Sequence, residues 1–195
     1  MTSNMQARSE LILGGQRSGK SRRAELLARD WLAQSPGHEA VLIATGQPWD
    51  DEMRARIARH QLDRAERVPG MRTHEVPLAL PEALAKYSNP RTIVVVDCLT
   101  LWLTNQLMPA ENNDSKRLLS KQIRGLNAML SGAISCAAGP VILVGNEIGL
   151  GVIPMGRETR DFVDALGHLN QEVAAVCARV TLMVAGLPLT LKGLP

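Results

Sequence analysis

Gly14-Gly15-Gln16-Arg17-Ser18-Gly19-Lys20-Ser21 is the run on which the architecture turns. It satisfies G-x-x-x-x-G-K-[ST], and each residue type in that pattern suits a phosphate. Glycines let a turn aim several backbone N–H groups at one anion. A helix opening at the end of the turn adds the positive end of its dipole. Lys20 brings a point charge to the β- and γ-phosphates, and the Ser21 hydroxyl is a ligand for Mg²⁺. Such a string can also arise as a chance glycine turn, so its flanks matter. Glu10-Leu11-Ile12-Leu13 reads as a short apolar strand running into it, and a helical run follows from about Gly19 to Gln34.

The same alternation continues outward. Ala40 to Ala44 is a second buried strand, Asp50 to Arg67 a charged helix, Met71 to Val76 a short extended piece and Pro81 to Lys86 a short helix. Arg91 to Asp97 is the clearest strand, a β-branched run closed by a carboxylate, and Leu99 to Leu107 is helical after it. A polar loop spans Pro109 to Asp114. From Ser115 to Ala137 the residues Leu119, Ile123, Leu126, Leu130 and Ile134 line one helix face. Pro140 to Gly145 is another strand, Arg157 to Ala178 an amphipathic helix, and Val180 to Ala185 and Leu189 to Lys192 are late strands. Continuously apolar strands alternating with helices predict an α/β fold, a mostly parallel sheet with helices on both faces. No linker or internal repeat interrupts residues 1–195, so a single P-loop nucleotide-binding domain is expected, with residues 1–8 loose.

Composition narrows the function classes. Aromatic residues make up 3% of the chain, too few for a stacking platform for single-stranded nucleic acid. The formal charge of +3 comes from scattered arginines without a polybasic run, a field suited to a phosphorylated small molecule. The three cysteines, Cys98, Cys136 and Cys177, lie far apart without metal-binding spacing, which fits a reducing compartment. The polar N-terminus has no signal-peptide pattern and no run is long enough to span a membrane, so a cytoplasmic location is expected.

Two further features bear on chemistry. Asp97, at the end of the most apolar strand, is placed to hold Mg²⁺ as a Walker-B carboxylate does, or to cap the helix beginning at Leu99. Glu52, Arg56, His60 and Arg64 recur every four residues and so share one helix face. That stripe reads either as a solvated salt-bridged surface or as a histidine presented beside arginines. A P-loop alone leaves the reaction open. The base-reading motif of a GTPase switch is absent, and Asp164-Ala165-Leu166-Gly167 lies inside a helical pattern rather than at a strand end. A small-molecule kinase, a plain ATPase and a nucleotide-regulated binding protein all remain compatible with the residues.

Taken together, several blocks are far more specific. They are Gly14 to Ser21, Ile43-Ala44-Thr45-Gly46, Asp51-Glu52-Met53 with Arg56-Ile57 and His60, Val96 to Trp102 with Thr104-Asn105, Asn146 to Gly151 with Pro154, and Asn170-Gln171. In these blocks the chain resembles the adenosylcobinamide kinase / adenosylcobinamide-phosphate guanylyltransferase family of cobalamin biosynthesis, over about residues 10 to 192. The resemblance implies a RecA-like P-loop NTPase fold and a homo-oligomer, a trimer being known in the family. It implies phosphorylation of adenosylcobinamide by ATP or GTP, then transfer of GMP from GTP to the phosphorylated product. His60 would carry the GMP covalently, and Lys20 would act with it. GTP would be contacted by Gly14, Gly15, Gln16, Arg17, Ser18, Gly19, Lys20, Ser21, Ala44, Thr45, Gly46, Gln61, Leu62, Asp63, Arg64, Glu75 and Asp97, with Ser21 and Asp97 toward Mg²⁺. One departure is visible: the family often carries Arg-Pro after the histidine helix, whereas Arg64 is followed by Ala65.

Overall fold

The computed structural model describes residues 9–107, 120–152 and 154–193. The expected polar loop at 109–114 and the first turn of the helix expected from Ser115 lie outside the described residues. The elements, in chain order, are β1 (Ser9–Gly14), α1 (Lys20–Gln34), β2 (Glu39–Ala44), α2 (Asp51–Arg67), β3 (Arg72–Glu75), α3 (Leu80–Tyr87), β4 (Thr92–Asp97), α4 (Leu99–Leu107), α5 (Ser120–Ser135), β5 (Val141–Val144), α6 (Arg157–Val176), β6 (Arg179–Val184) and β7 (Leu187–Lys192).

All seven strands form one sheet in the order β3-β2-β4-β5-β1-β6-β7. The first six are parallel, and β7 returns antiparallel against β6. The period-two geometry of a strand sends alternate residues to opposite faces. Leu11, Val41, Val94, Val96 and Leu143 therefore join one buried cluster, and Ile12, Leu42, Val95, Ile142 and Val144 another. The first is covered by residues of α3, α4, α5 and α6, including the fully buried Trp102 and Leu169. The second is covered by α1 through Ala24, Ala28 and Trp31. Strands buried on both faces explain the unbroken apolar runs in the sequence.

Parallel strands put all their carboxyl ends at one edge, where ligands of such sheets gather. Register aligns the ends across the sheet: Glu75 lies beside Ala44, Ala44 beside Asp97, and Asp97 beside Val144. The expected Gly14–Ser21 turn leaves the same edge from β1. Among the described residues no helix is long and apolar enough to cross a membrane.

Candidate functional site

The turn between β1 and α1 is held by backbone conformations that its glycines permit. Gly14 has φ +152°, and a Cβ there would stand 2.6 Å from the Met183 carbonyl oxygen. Gly19 caps α1 in the left-handed region at φ 97°. Two neighbouring loops pin the turn from outside: the Glu147 N–H donates to the Gly14 carbonyl at 3.1 Å, and the Gly186 N–H to the Ser18 carbonyl at 3.2 Å. Gly15, Gln16 and Arg17 are left exposed at its mouth.

Lys20 folds back into this turn. Its Nζ donates to the Gly15 carbonyl at 2.5 Å and reaches Ser18 Oγ at 3.5 Å. Only 7% of the residue is exposed. Burial pushes the Lys20 ammonium below the usual lysine range, the neighbouring Cys98 and the Asp97 carboxylate act against that, and Arg56 adds to it. A buried ammonium whose main fixed partner is a carbonyl is an anion site in waiting.

Asp97 closes β4, half-buried, and among the described residues its carboxylate takes part in no hydrogen bond or ion pair. The capping alternative for Asp97 therefore fails. The buried thiol of Cys98 lies near the opening of α4, where the backbone of Leu101 and Thr100 acts to lower it. Burial, and then the nearby Asp97 charge, push this thiol up to about 12. The Ser21 hydroxyl is likewise half-buried and uncommitted among the described residues. One free hydroxyl and one free carboxylate fit the way Mg²⁺ is held with substrate phosphates, which does not need an all-protein cage. No group of three or more His, Cys, Asp or Glu forms such a cage among the described residues.

Thr45 takes a role the sequence did not reveal. It is fully buried, and its Oγ1 donates to the Cys98 carbonyl at 2.7 Å while accepting the Cys98 N–H at 2.9 Å. Its hydroxyl is thus spent on holding the end of β4 in place. Asn105 Nδ2 in turn donates to the carbonyls of Thr45 and Pro77, at 2.8 and 3.1 Å. Thr100 Oγ1 accepts the Asn146 N–H, and Asn170 Nδ2 donates to the Asn146 carbonyl. These asparagines and threonines hold the loops at the carboxyl edge.

The helix α2 is built otherwise. Asp50 caps it by accepting the Met53 N–H at 2.7 Å, yet none of its residues is buried. His60 is half-buried on the face shared with Arg56 and Arg64. Its arginines lie within electrostatic reach of the carboxyl edge: Arg56 acts on Lys20, and Arg64 is influenced by both Glu25 and Asp97. Arg64 has its guanidinium pushed below the usual range by burial, with those two carboxylates opposing the shift. Gln61 and Arg64 border a cleft of about 310 Å³ between α2 and β3, floored by Ala65, Val68 and Met71. Leu62 is 70% exposed and not part of that cleft, and Asp63 is committed to Arg67 at 3.0 Å. Two of the other three histidines are occupied elsewhere, His38 stacking on Trp31 and His74 on Tyr87, and His168 is exposed on α6.

Residues 10–191 match the family described as cobinamide kinase / cobinamide phosphate guanyltransferase. The chain belongs to this family. It is 46% identical over 186 residues to the bifunctional adenosylcobalamin biosynthesis protein CobP of Pseudomonas aeruginosa, covering 95% of this chain and 98% of that protein. It is 36% identical to the corresponding CobU protein of Escherichia coli, covering 93% and 98%. A solved protein of Pyrococcus horikoshii shares the fold at TM-score 0.50 and 13% identity, covering 96% of this chain and 87% of that one. The quoted blocks all fall within the matched residues, and the α/β fold agrees with the distant solved structure.

Proposed function

We propose that one phosphate cradle serves two reactions in this bifunctional enzyme of cobalamin biosynthesis. As a cobinamide kinase, the protein transfers the γ-phosphoryl group of a nucleoside triphosphate to the hydroxyl of the aminopropanol arm of adenosylcobinamide. As a cobinamide phosphate guanyltransferase, it transfers GMP from GTP to that phosphate, giving adenosylcobinamide-GDP.

The cradle's part is common to both steps. Lys20 and the N–H groups of Gly14 to Ser21 bind the β- and γ-phosphates, and a phosphate oxygen takes over the Lys20 bond now made to the Gly15 carbonyl. In phosphoryl transfer the growing negative charge lies on the oxygen bridging the β- and γ-phosphorus atoms, and in guanylyl transfer on departing pyrophosphate. Both lie over the same ammonium. Ser21 and Asp97 are the residues that would hold Mg²⁺, which supplies charge neutralisation on the phosphates when bound.

The transferase step adds His60. A ring nitrogen attacks the α-phosphorus of GTP, a N–P bond forms, and the bond to the β-phosphate oxygen breaks so that pyrophosphate leaves with the electron pair. A phosphate oxygen of the corrinoid substrate then attacks the same phosphorus, the N–P bond breaks, and the imidazole is free again. Arg56, one turn away, neutralises charge at the α-phosphate. Gln61 and Arg64 take part in nucleotide binding at the cleft they line, and Glu75 and Ala44 do so from the paired ends of β3 and β2.

The observation that carries this reading is electrostatic. Arg56 and Arg64 lie one turn either side of His60; Arg56 lowers the Lys20 ammonium, and Asp97 raises the Arg64 guanidinium. This supports a reading in which the histidine face works on a nucleotide seated in the cradle of the same subunit. Intact-mass measurement after incubation with GTP and Mg²⁺ tests it. The wild-type chain gains one GMP, and His60→Ala gains none while keeping most of its kinase turnover. A GMP adduct that survives in His60→Ala assigns the nucleophile elsewhere.

A further inference from the structure

The helix that carries His60 is held to the rest of the molecule by charge, and one carboxylate dominates that hold. Glu25 lies on α1 with 4% of its surface exposed, among Ala24, Ala28 and the sheet. A buried carboxylate is costly unless paired and hydrogen-bonded. Its partner comes from α2: Arg67 Nη1 donates to Glu25 Oε2 at 2.7 Å, and the other nitrogen of the same guanidinium reaches Asp63 at 3.0 Å. Arg64, one turn earlier, also lies within reach of the Glu25 charge. No residue of α2 is buried, so no apolar side chain of that helix locks it deeply against its neighbours.

Helix geometry turns this pair into a ruler. β1, β2 and β3 are mutually parallel, so α1 and α2, which each return the chain between them, run in the same direction. At about 1.5 Å per residue, Lys20 lies roughly 7.5 Å from Glu25 toward the carboxyl edge of the sheet, and His60 lies roughly 10 Å from Arg67 in the same sense. With Glu25 and Arg67 joined, the imidazole stands at about the height of the cradle. The influence of Arg56 on Lys20 and of Asp97 on Arg64 agrees with that register.

We infer that Glu25 is a positioning residue for guanylyl transfer: through Arg67 it sets the axial register of α2 against the phosphate-binding helix, and so the height of His60 over the α-phosphate. The inference rests on the proposed role of His60. The kinase step uses the cradle but not His60, so it is insensitive to this register. Reacting atoms must be placed within a fraction of an ångström to hold a full rate, so loosening the tie affects one reaction selectively.

The test compares wild type, Glu25→Gln and Arg67→Gln. Gln is nearly isosteric with Glu, and Arg67 is the outer partner, so at least one variant keeps its fold even if burying an unpaired amide is costly. Single-turnover formation of the GMP adduct at saturating GTP falls about ten- to hundredfold in both variants. ATP-dependent phosphorylation of adenosylcobinamide changes less than about twofold. The double variant is no slower than the worse single one, as expected of two residues acting as one unit. Hydrogen exchange of the amides of 51–67 rises, while that of 9–34 does not. Unchanged adduct formation in both variants overturns the inference. So does a parallel loss of both activities with faster exchange throughout, which marks Glu25 as a general structural strut. If the wild-type chain forms no GMP adduct, the transferase role of His60 fails separately, and the exchange pattern alone decides whether Glu25 holds α2.

Discussion

The two helices that follow β1 and β2 lie side by side, yet they are secured by different physics. The first, α1, buries Lys20, Ala24, Glu25, Ala28 and Trp31, and its opening turn is bonded to loops from two other parts of the chain. The second, α2, buries nothing and is tied by ion pairs to Glu25 and within itself. Packing against a sheet is unaffected by modest salt and resists displacement, whereas partly exposed charge pairs are weaker and are screened. The difference matches the division of labour between the two reactions. In the proposed mechanism phosphoryl transfer uses only the rigid side, and guanylyl transfer also uses the loosely held helix.

The largest expected effect breaks the comparison by removing what both sides share. Lys20→Ala should lower kinase turnover and GMP-adduct formation alike, each by about a hundredfold or more, the scale at which loss of one charge-stabilising group is usually felt. Rates measured separately for the two half-reactions check this, and a loss confined to one of them means that the cradle is not shared.

A smaller effect sharpens it. Ala58 is exposed on α2, so Ala58→Gly removes no tertiary contact of consequence but costs that helix about 1 kcal/mol of propensity. Adduct formation should slow severalfold while the thermal midpoint of the whole chain and the kinase rate stay nearly unchanged. A fall in the midpoint of many degrees would mean that α2 is as integral to the core as α1.

The smallest effect concerns the rigid core itself. Cys98 and Cys177 are buried with thiols pushed up to about 12 and about 11, burial being the main cause in each, against an ordinary value of 9.0. The folded state therefore holds these protons more tightly than the unfolded one. Their contribution to stability is complete below about pH 9 and is lost as pH rises toward 11 and 12. Denaturant midpoints should decline over that window. At pH 8 iodoacetamide should modify the exposed Cys136 alone, and rapid alkylation of Cys98 in the native protein would contradict its burial.

Much of the edge that forms the site was legible because its signals are local. Gly14, Gly19, Lys20 and Ser21 sit in one octapeptide whose chemistry depends on short spacing, and Asp97 stands where an apolar run ends. The spacing of Arg56, His60 and Arg64 already placed them on one face. What escaped was the use made of polar groups across long separations. Thr45 was expected at the nucleotide, but its hydroxyl spans 53 residues to the Cys98 backbone. Glu25 drew no notice at all, because a glutamate in an amphipathic helix reads as a solvated surface, and only the arrival of Arg67 from 42 residues away explains its burial.

Sequence by itself determined the strand–helix alternation, the phosphate turn and the family, because each rests on the identity and spacing of neighbouring residues. Tertiary structure alone decided which carboxylates are free and which are spent, and how the histidine helix is tied to α1. Those depend on which buried charges and hydroxyls meet, and the low-dielectric interior makes such meetings decisive only once the chain has folded around them.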